Sequence, residues 1–155
     1  MYKVEHVAAY IAKRYRDQYK QDIESATLHK LLYFAQRECI ILHKTTLFDS
    51  PIYAGEYGPT ILKIIELCGQ NSIKDILSFY IEIEQYQDVF EKIMTVYSKR
   101  SITSLIDLSK DEISWKNAMD KKRSPKCGHY LISNLDIEKD ARKIEIRKAK
   151  LLSVK

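Results

Sequence analysis

Glycine and proline are scarce in this chain, with four and three copies in 155 residues. There is no low-complexity tract and no linker rich in either residue, so nothing divides the chain into separate domains. Cysteine is as sparse. Cys39, Cys68 and Cys127 stand far apart, odd in number and without a Cys-x-x-Cys pair, which argues against a disulfide framework and against a zinc site. No window approaches the roughly 18 consecutive apolar residues of a membrane span. The opening stretch MYKVEHVAAYIAKRYRDQYK is charged throughout and lacks the apolar core of a signal peptide. The expectation is a cytoplasmic protein with no membrane association.

What is present suits one folded domain covering residues 1–155. Hydrophobic residues make up 45% and charged residues 30% of the chain, and a chain of this length buries roughly 68–70% of the surface its unfolded form exposes. The net charge of +5 is unevenly placed. From Lys121 onward there are eleven Lys and Arg against four Asp and Glu, so the basic excess lies wholly in residues 120–155, read as a loop and a helix. Such a tail suits an acidic protein partner or nucleic acid, although a solvated basic helix has the same composition.

Apolar spacing predicts a mainly α fold, a single compact multi-helix bundle. Val4, Val7, Ala8, Ile11 and Tyr15 mark a first amphipathic helix. Ser25 is placed to cap a second, whose inner face reads Leu28, Leu31, Leu32, Ala35, Cys39 and Leu42, widened by Phe34 and Ile41, with Tyr33 at the core edge. The segment around residues 45–57 is rich in turn formers and reads as a short β-hairpin or an extended crossing. Two of the four glycines and one proline then crowd into YAGEYGPTILKI, residues 53–64. Pro59 fits a first helical position and Gly69 the position just past a helix end, so Gly58 and Pro59 read as the start of the helix TILKIIELC. Residues 70–87 read as helix from Ile73, Ile76, Leu77 and Tyr80. Val89, Ile93, Val96 and Tyr97 give another, and Leu105 sits in a short one. Ser109 and Glu112 have capping-box spacing ahead of Trp115, Ala118 and Met119. Ser133 or Asn134 caps a terminal helix with Ile137, Ala141 and Ile144 inward and Arg142, Lys143, Arg147 and Lys148 outward.

In this order the motifs resemble the Panacea domain, the SocA-like antitoxin family, whose members include phage-associated proteins. One block is TLHKLLYFAQRECIILHKTTLF, where Leu28, Lys30, Leu31, Leu32, Tyr33, Phe34, Ala35, Gln36, Leu47 and Phe48 match the family's Leu-x-Lys-Leu-Leu-Tyr-aromatic-Ala-Gln helix and its Leu-Phe. A second is IYAGEYGPTI, and a third is the run from Val89 to Met119, which contains Trp115. The blocks span most of residues 4–119. Gly55 stands where the family commonly has Trp, Thr60 where it has Val, Lys110 where it has His and Ser114 where it has Pro, whereas Tyr57, Gly58, Pro59 and Trp115 are kept. The resemblance implies an antitoxin that neutralises a cognate toxin protein by direct contact or by presenting it to a protease.

Residue chemistry points away from catalysis. His6, His29, His43 and His129 lie outside any metal-ligand spacing, and GEYGPT lacks the Lys-Ser/Thr step of a phosphate loop. The expectation is no catalytic residue, no metal and no cofactor. Glu56 reads as a cap for the helix that follows or, with Tyr53 and Tyr57, as an aromatic contact patch. Trp115 reads as a core plug. Lys121, Lys122, Arg123 and Lys126 form the most distinctive surface, suited to a protein partner first. A phage- or mobile-element-associated nucleic-acid binder is the alternative, because cations without a helix-turn-helix or stacking aromatics give no sequence readout. Lys30, Tyr33, Gly58, Pro59 and Trp115 are the structural positions of the resemblance. Oligomeric state is not legible in the sequence.

Overall fold

The computed structural model describes residues 1–68, 73–120 and 130–153. Its helices are α1 (Val4–Tyr19), α2 (Ser25–His43), α3 (Leu62–Cys68), α4 (Ile73–Leu77), α5 (Gln87–Lys92), α6 (Ile102–Lys110), α7 (Ile113–Asp120) and α8 (Asn134–Ser153). Helix α5 runs on into a π-helical turn, Ile93–Tyr97, closed by the Ser98 N–H on the Ile93 carbonyl at 2.8 Å. Three short strands, β1 (Ile52–Gly55), β2 (Gly58–Thr60) and β3 (Tyr130–Ile132), form an antiparallel sheet in the order β2-β1-β3. The fold is mainly α, as the apolar spacing predicts.

Helix α2 is the centre. It packs against α1, α5, α6, α8 and β2, and every residue from Leu28 to Ile41 is buried. A helix apolar on one stripe needs one neighbour, whereas one buried all round must satisfy its polar side chains internally. That requirement falls on His29, Lys30, Gln36, Arg37 and Glu38, all at 6% exposure or less. Helices α1 and α2 both end on a lysine in the left-handed conformation, Lys20 at φ 58° and Lys44 at φ 57°, each sending its N–H to the carbonyl four residues back.

Several expectations are corrected. Helix α2 starts at Ser25 with Glu24 in the capping position and no side-chain cap, and Leu42 is 42% exposed because it points off the buried stripe at the helix end. Tyr33 lies at full burial and not at a core edge. The helix over 70–87 is confined to Ile73–Leu77 among the described residues, with Tyr80 beyond it; the Phe79 and Tyr80 N–H groups bond back only three residues, and the chain continues irregularly to the buried Ile83. Val96 is 38% exposed, since the wider π turn rotates it off the inner face. Strand β3 divides the basic tail, which is therefore more than a loop and a helix. Gly69, and the basic loop Lys121, Lys122, Arg123 and Lys126, lie outside the described residues. Ser133 is the α8 cap, its Oγ accepting the Asp136 N–H at 3.1 Å.

Candidate protein-interaction site

The crowded stretch at residues 53–60 is a hairpin. Tyr53 pairs with Thr60, Ala54 with Pro59 and Gly55 with Gly58, leaving Glu56 and Tyr57 as the turn. Gly58 and Pro59 are therefore strand residues, and the following helix begins later, with the Ile61 carbonyl accepting the first N–H groups of α3. Proline is tolerated because β2 is an edge strand, whose missing N–H costs no ladder bond. Gly58 is required twice over. Its φ of +101° strains any other residue, and a Cβ there would lie 2.6 Å from Ser109 Oγ and 2.9 Å from Lys30 Cε.

Three polar side chains of α2 hold this corner and its surroundings. Lys30 Nζ donates to the Pro59 carbonyl at 3.1 Å, and His29 Nδ1 accepts the Ile61 N–H at 3.0 Å, so both ends of the hairpin's exit are tied to one helix. Gln36 clamps the preceding segment. Its Oε1 accepts the N–H groups of Leu47 and Phe48 at 2.7 and 3.1 Å, while Nε2 donates to the Phe48 carbonyl at 2.9 Å. Burial pushes His29 down to about 4 and Lys30, with help from the like charge of Lys110, down to about 8. A neutral His29 is what the bond requires, because Nδ1 must carry a lone pair.

The far side of the hairpin is held by α7. The Trp115 indole N–H donates to the Gly55 carbonyl at 3.1 Å, and Lys110 Nζ lies 5.3 Å from the centre of the Trp115 ring. Trp115 is half-buried, a strut between α7 and the turn more than a core plug. The spacing of Ser109 and Glu112 does not produce a capping box. Ser109 remains inside α6, bonded to Ile106, and Glu112 turns to pair with Arg37. The cap comes from α8: the Asp140 carboxylate accepts the Ile113 and Ser114 N–H groups at 2.7 and 3.0 Å. Ser114 Oγ in turn bonds the Tyr33 hydroxyl at 2.7 Å. That bond uses a residue at which the chain departs from the family pattern.

These braces present the turn outward. Tyr57 is 66% exposed and Glu56 is exposed beside it, away from the start of α3, so Glu56 caps no helix. Tyr53 is half-buried and borders a shallow hollow of about 530 Å³ with Val4, Pro51 and Leu62, rimmed by Lys63 and Glu66. Of the sequence-predicted contacts, Tyr53 stands on β1 and Glu56 and Tyr57 in the turn that follows it. The other predicted contacts, in the basic loop, lie outside the described residues. Helix α8 exposes Arg142, Lys143, Arg147 and Lys148, as its spacing predicts.

Sequence reasoning missed His29, Gln36, Arg37, Glu38 and Asp140 as structural groups. The signal was the apolar character of α2 on both sides. Among the described residues no three His, Cys, Asp or Glu side chains converge where a metal ion fits, and no helix is long and apolar enough to cross a membrane.

The family model described as antitoxin SocA-like, Panacea domain, matches residues 28–116. That interval opens on the first apolar residue of α2's inner face and closes just past Trp115, so it encloses the hairpin with Lys30 and Trp115, which brace it, together with Tyr33 and Gln36. No curated protein and no solved structure matches the chain.

Proposed function

The chain belongs to the SocA-like antitoxin family of Panacea domains, which gives it a toxin–antitoxin-related role, and on that premise we propose that it neutralises a cognate toxin by direct protein–protein contact without catalysing a reaction. The family match is the observation that carries this reading. The hairpin turn is the proposed contact, because a rigidly braced turn that exposes a tyrosine presents a large amphipathic surface at little entropic cost. The proposed setting is the cytoplasm, where a toxin and its antitoxin are made together.

Co-expression with the product of the adjacent open reading frame tests the reading. That product alone is expected to arrest growth, this chain to restore it, and the Glu56→Arg/Tyr57→Ala variant to restore it poorly, both positions being exposed and free of core packing. A harmless neighbour, or one equally toxic in the chain's presence, overturns it. Delivery of the toxin to a protease is a finer form of the same proposal and predicts a shorter toxin lifetime when the chain is present. The cations exposed on α8 favour one second reading, a nucleic-acid contact, which predicts a gel shift that weakens steeply with salt.

A further inference from the structure

A cleft of about 420 Å³ opens between α2, the π turn, the α6–α7 corner and α8. Its floor is Arg37, whose side chain is only 7% exposed. The guanidinium lies 4.8 Å from the Phe34 ring centre, donates to the Tyr97 hydroxyl at 2.5 Å, and pairs with Glu112 and, at 3.3 Å, with Glu38. Glu38 is shared with Lys92 at 3.1 Å. This inner cluster of two cations and two carboxylates is balanced, yet the buried Arg37 Nε–H finds no acceptor among the described residues. A buried donor left without a partner costs stability, and in a native fold it calls for an explanation.

The rim is not balanced. Arg100, Lys116, Lys143 and Arg147 line the cleft, opposed by Asp111 and Asp140. Asp140 is spent on the two backbone N–H groups that start α7, and Asp111 stands 3.8 Å from Lys116 with 88% of its side chain in solvent. Lys143 and Arg147 have no ion pair among the described residues, and they fall on one face of α8 together with Ile144. Apolar walls from Val96, Leu108 and Ile144 complete the cleft, two of whose lining residues, Val96 and Tyr97, are delivered by the π turn. π turns recur at functional sites, and small-molecule sites combine this size with apolar walls and a few convergent polar groups.

We infer that the cleft binds a small organic anion, its phosphate or carboxylate head held by Lys143 and Arg147 above the Arg37 floor and its body against the apolar walls. Arginine suits this task because its planar fork engages an oxyanion through paired donors. The site is separate from the hairpin contact, so either assignment can fail without the other.

Titration of the whole protein with ADP, pyrophosphate and citrate, followed by calorimetry and thermal unfolding at constant ionic strength, tests the inference. Saturable binding is expected from at least one of them, with a rise in melting temperature that grows with ligand concentration. ADP binding more tightly than pyrophosphate identifies a phosphate head with a ring on the apolar walls, whereas citrate binding more tightly than both identifies a carboxylate head. The Lys143→Ala/Arg147→Ala variant, changed only at exposed positions, is expected to keep the melting temperature of the free protein and to bind about tenfold more weakly or worse. No saturable response to any of the three, or equal binding by the variant, overturns the inference. So does binding of a tetraglutamate peptide where the three small anions fail, since that assigns the cleft to an acidic protein segment.

Discussion

Acid sensitivity of the fold should trace to one imidazole. His29 is 6% exposed and its Nδ1 accepts the Ile61 N–H at 3.0 Å, so protonation both charges a buried ring and removes the acceptor that fixes the chain between β2 and α3. Burial lowers it from 6.5 to about 4. A depressed folded value means that the unfolded chain binds more protons between pH 4 and 6.5. Stability is therefore full above pH 6.5 and is lost as pH falls toward 4. The interval corresponds to about 3 kcal/mol in total, of which about 2 kcal/mol is lost between pH 7 and pH 5. His29→Asn keeps an acceptor where Nδ1 stood and cannot titrate. Urea unfolding of both proteins from pH 4.5 to 7.5 is the assay: the native chain should lose about 2 kcal/mol more than the variant between pH 7 and pH 5, with m unchanged. Parallel pH profiles would refute the reasoning, because acid loss would then come from other groups.

Three further outcomes follow from the same geometry. Lys30 acts with the same sign in a higher window: burial lowers it to about 8, so the folded state resists its charge and stability should rise by about 2 kcal/mol between pH 7.5 and 9.5. Lys30→Met should flatten that rise in chemical denaturation, whereas an unchanged rise would assign it elsewhere. Gly58→Ala adds a Cβ 2.6 Å from Ser109 Oγ at a φ of +101° and should cost about 2–4 kcal/mol by the same assay. Asp140→Ala strips the cap from α7 and should cost about 1–3 kcal/mol, with amide exchange accelerated first at Ile113 and Ser114.

How much of this was legible depends on how far each cause lies along the chain. The 3.6-residue stripes of α1, α2 and α8 are local, and they placed those helices. The hairpin was half legible. Its turn formers are adjacent, but Pro59 fits a helix start as well as an edge strand, and β1, which decides between them, decides through pairing. The capping box failed for the same reason: Asp140, the cap that forms, is 27 residues beyond Ile113. β3 is three residues long and owes its state to β1 alone. The braces from His29, Lys30 and Gln36 looked like helix surface because their partners, at Ile61, Pro59 and Leu47–Phe48, belong to segments without a periodic pattern.

Direct contact between this chain and its toxin is the claim on which the functional account turns. Mixing the two purified proteins and measuring association by calorimetry and size-exclusion chromatography tests it. The account predicts a stable complex of fixed stoichiometry that the Glu56→Arg/Tyr57→Ala variant forms markedly more weakly. Rescue of growth in cells with no complex detectable between the purified proteins would contradict it.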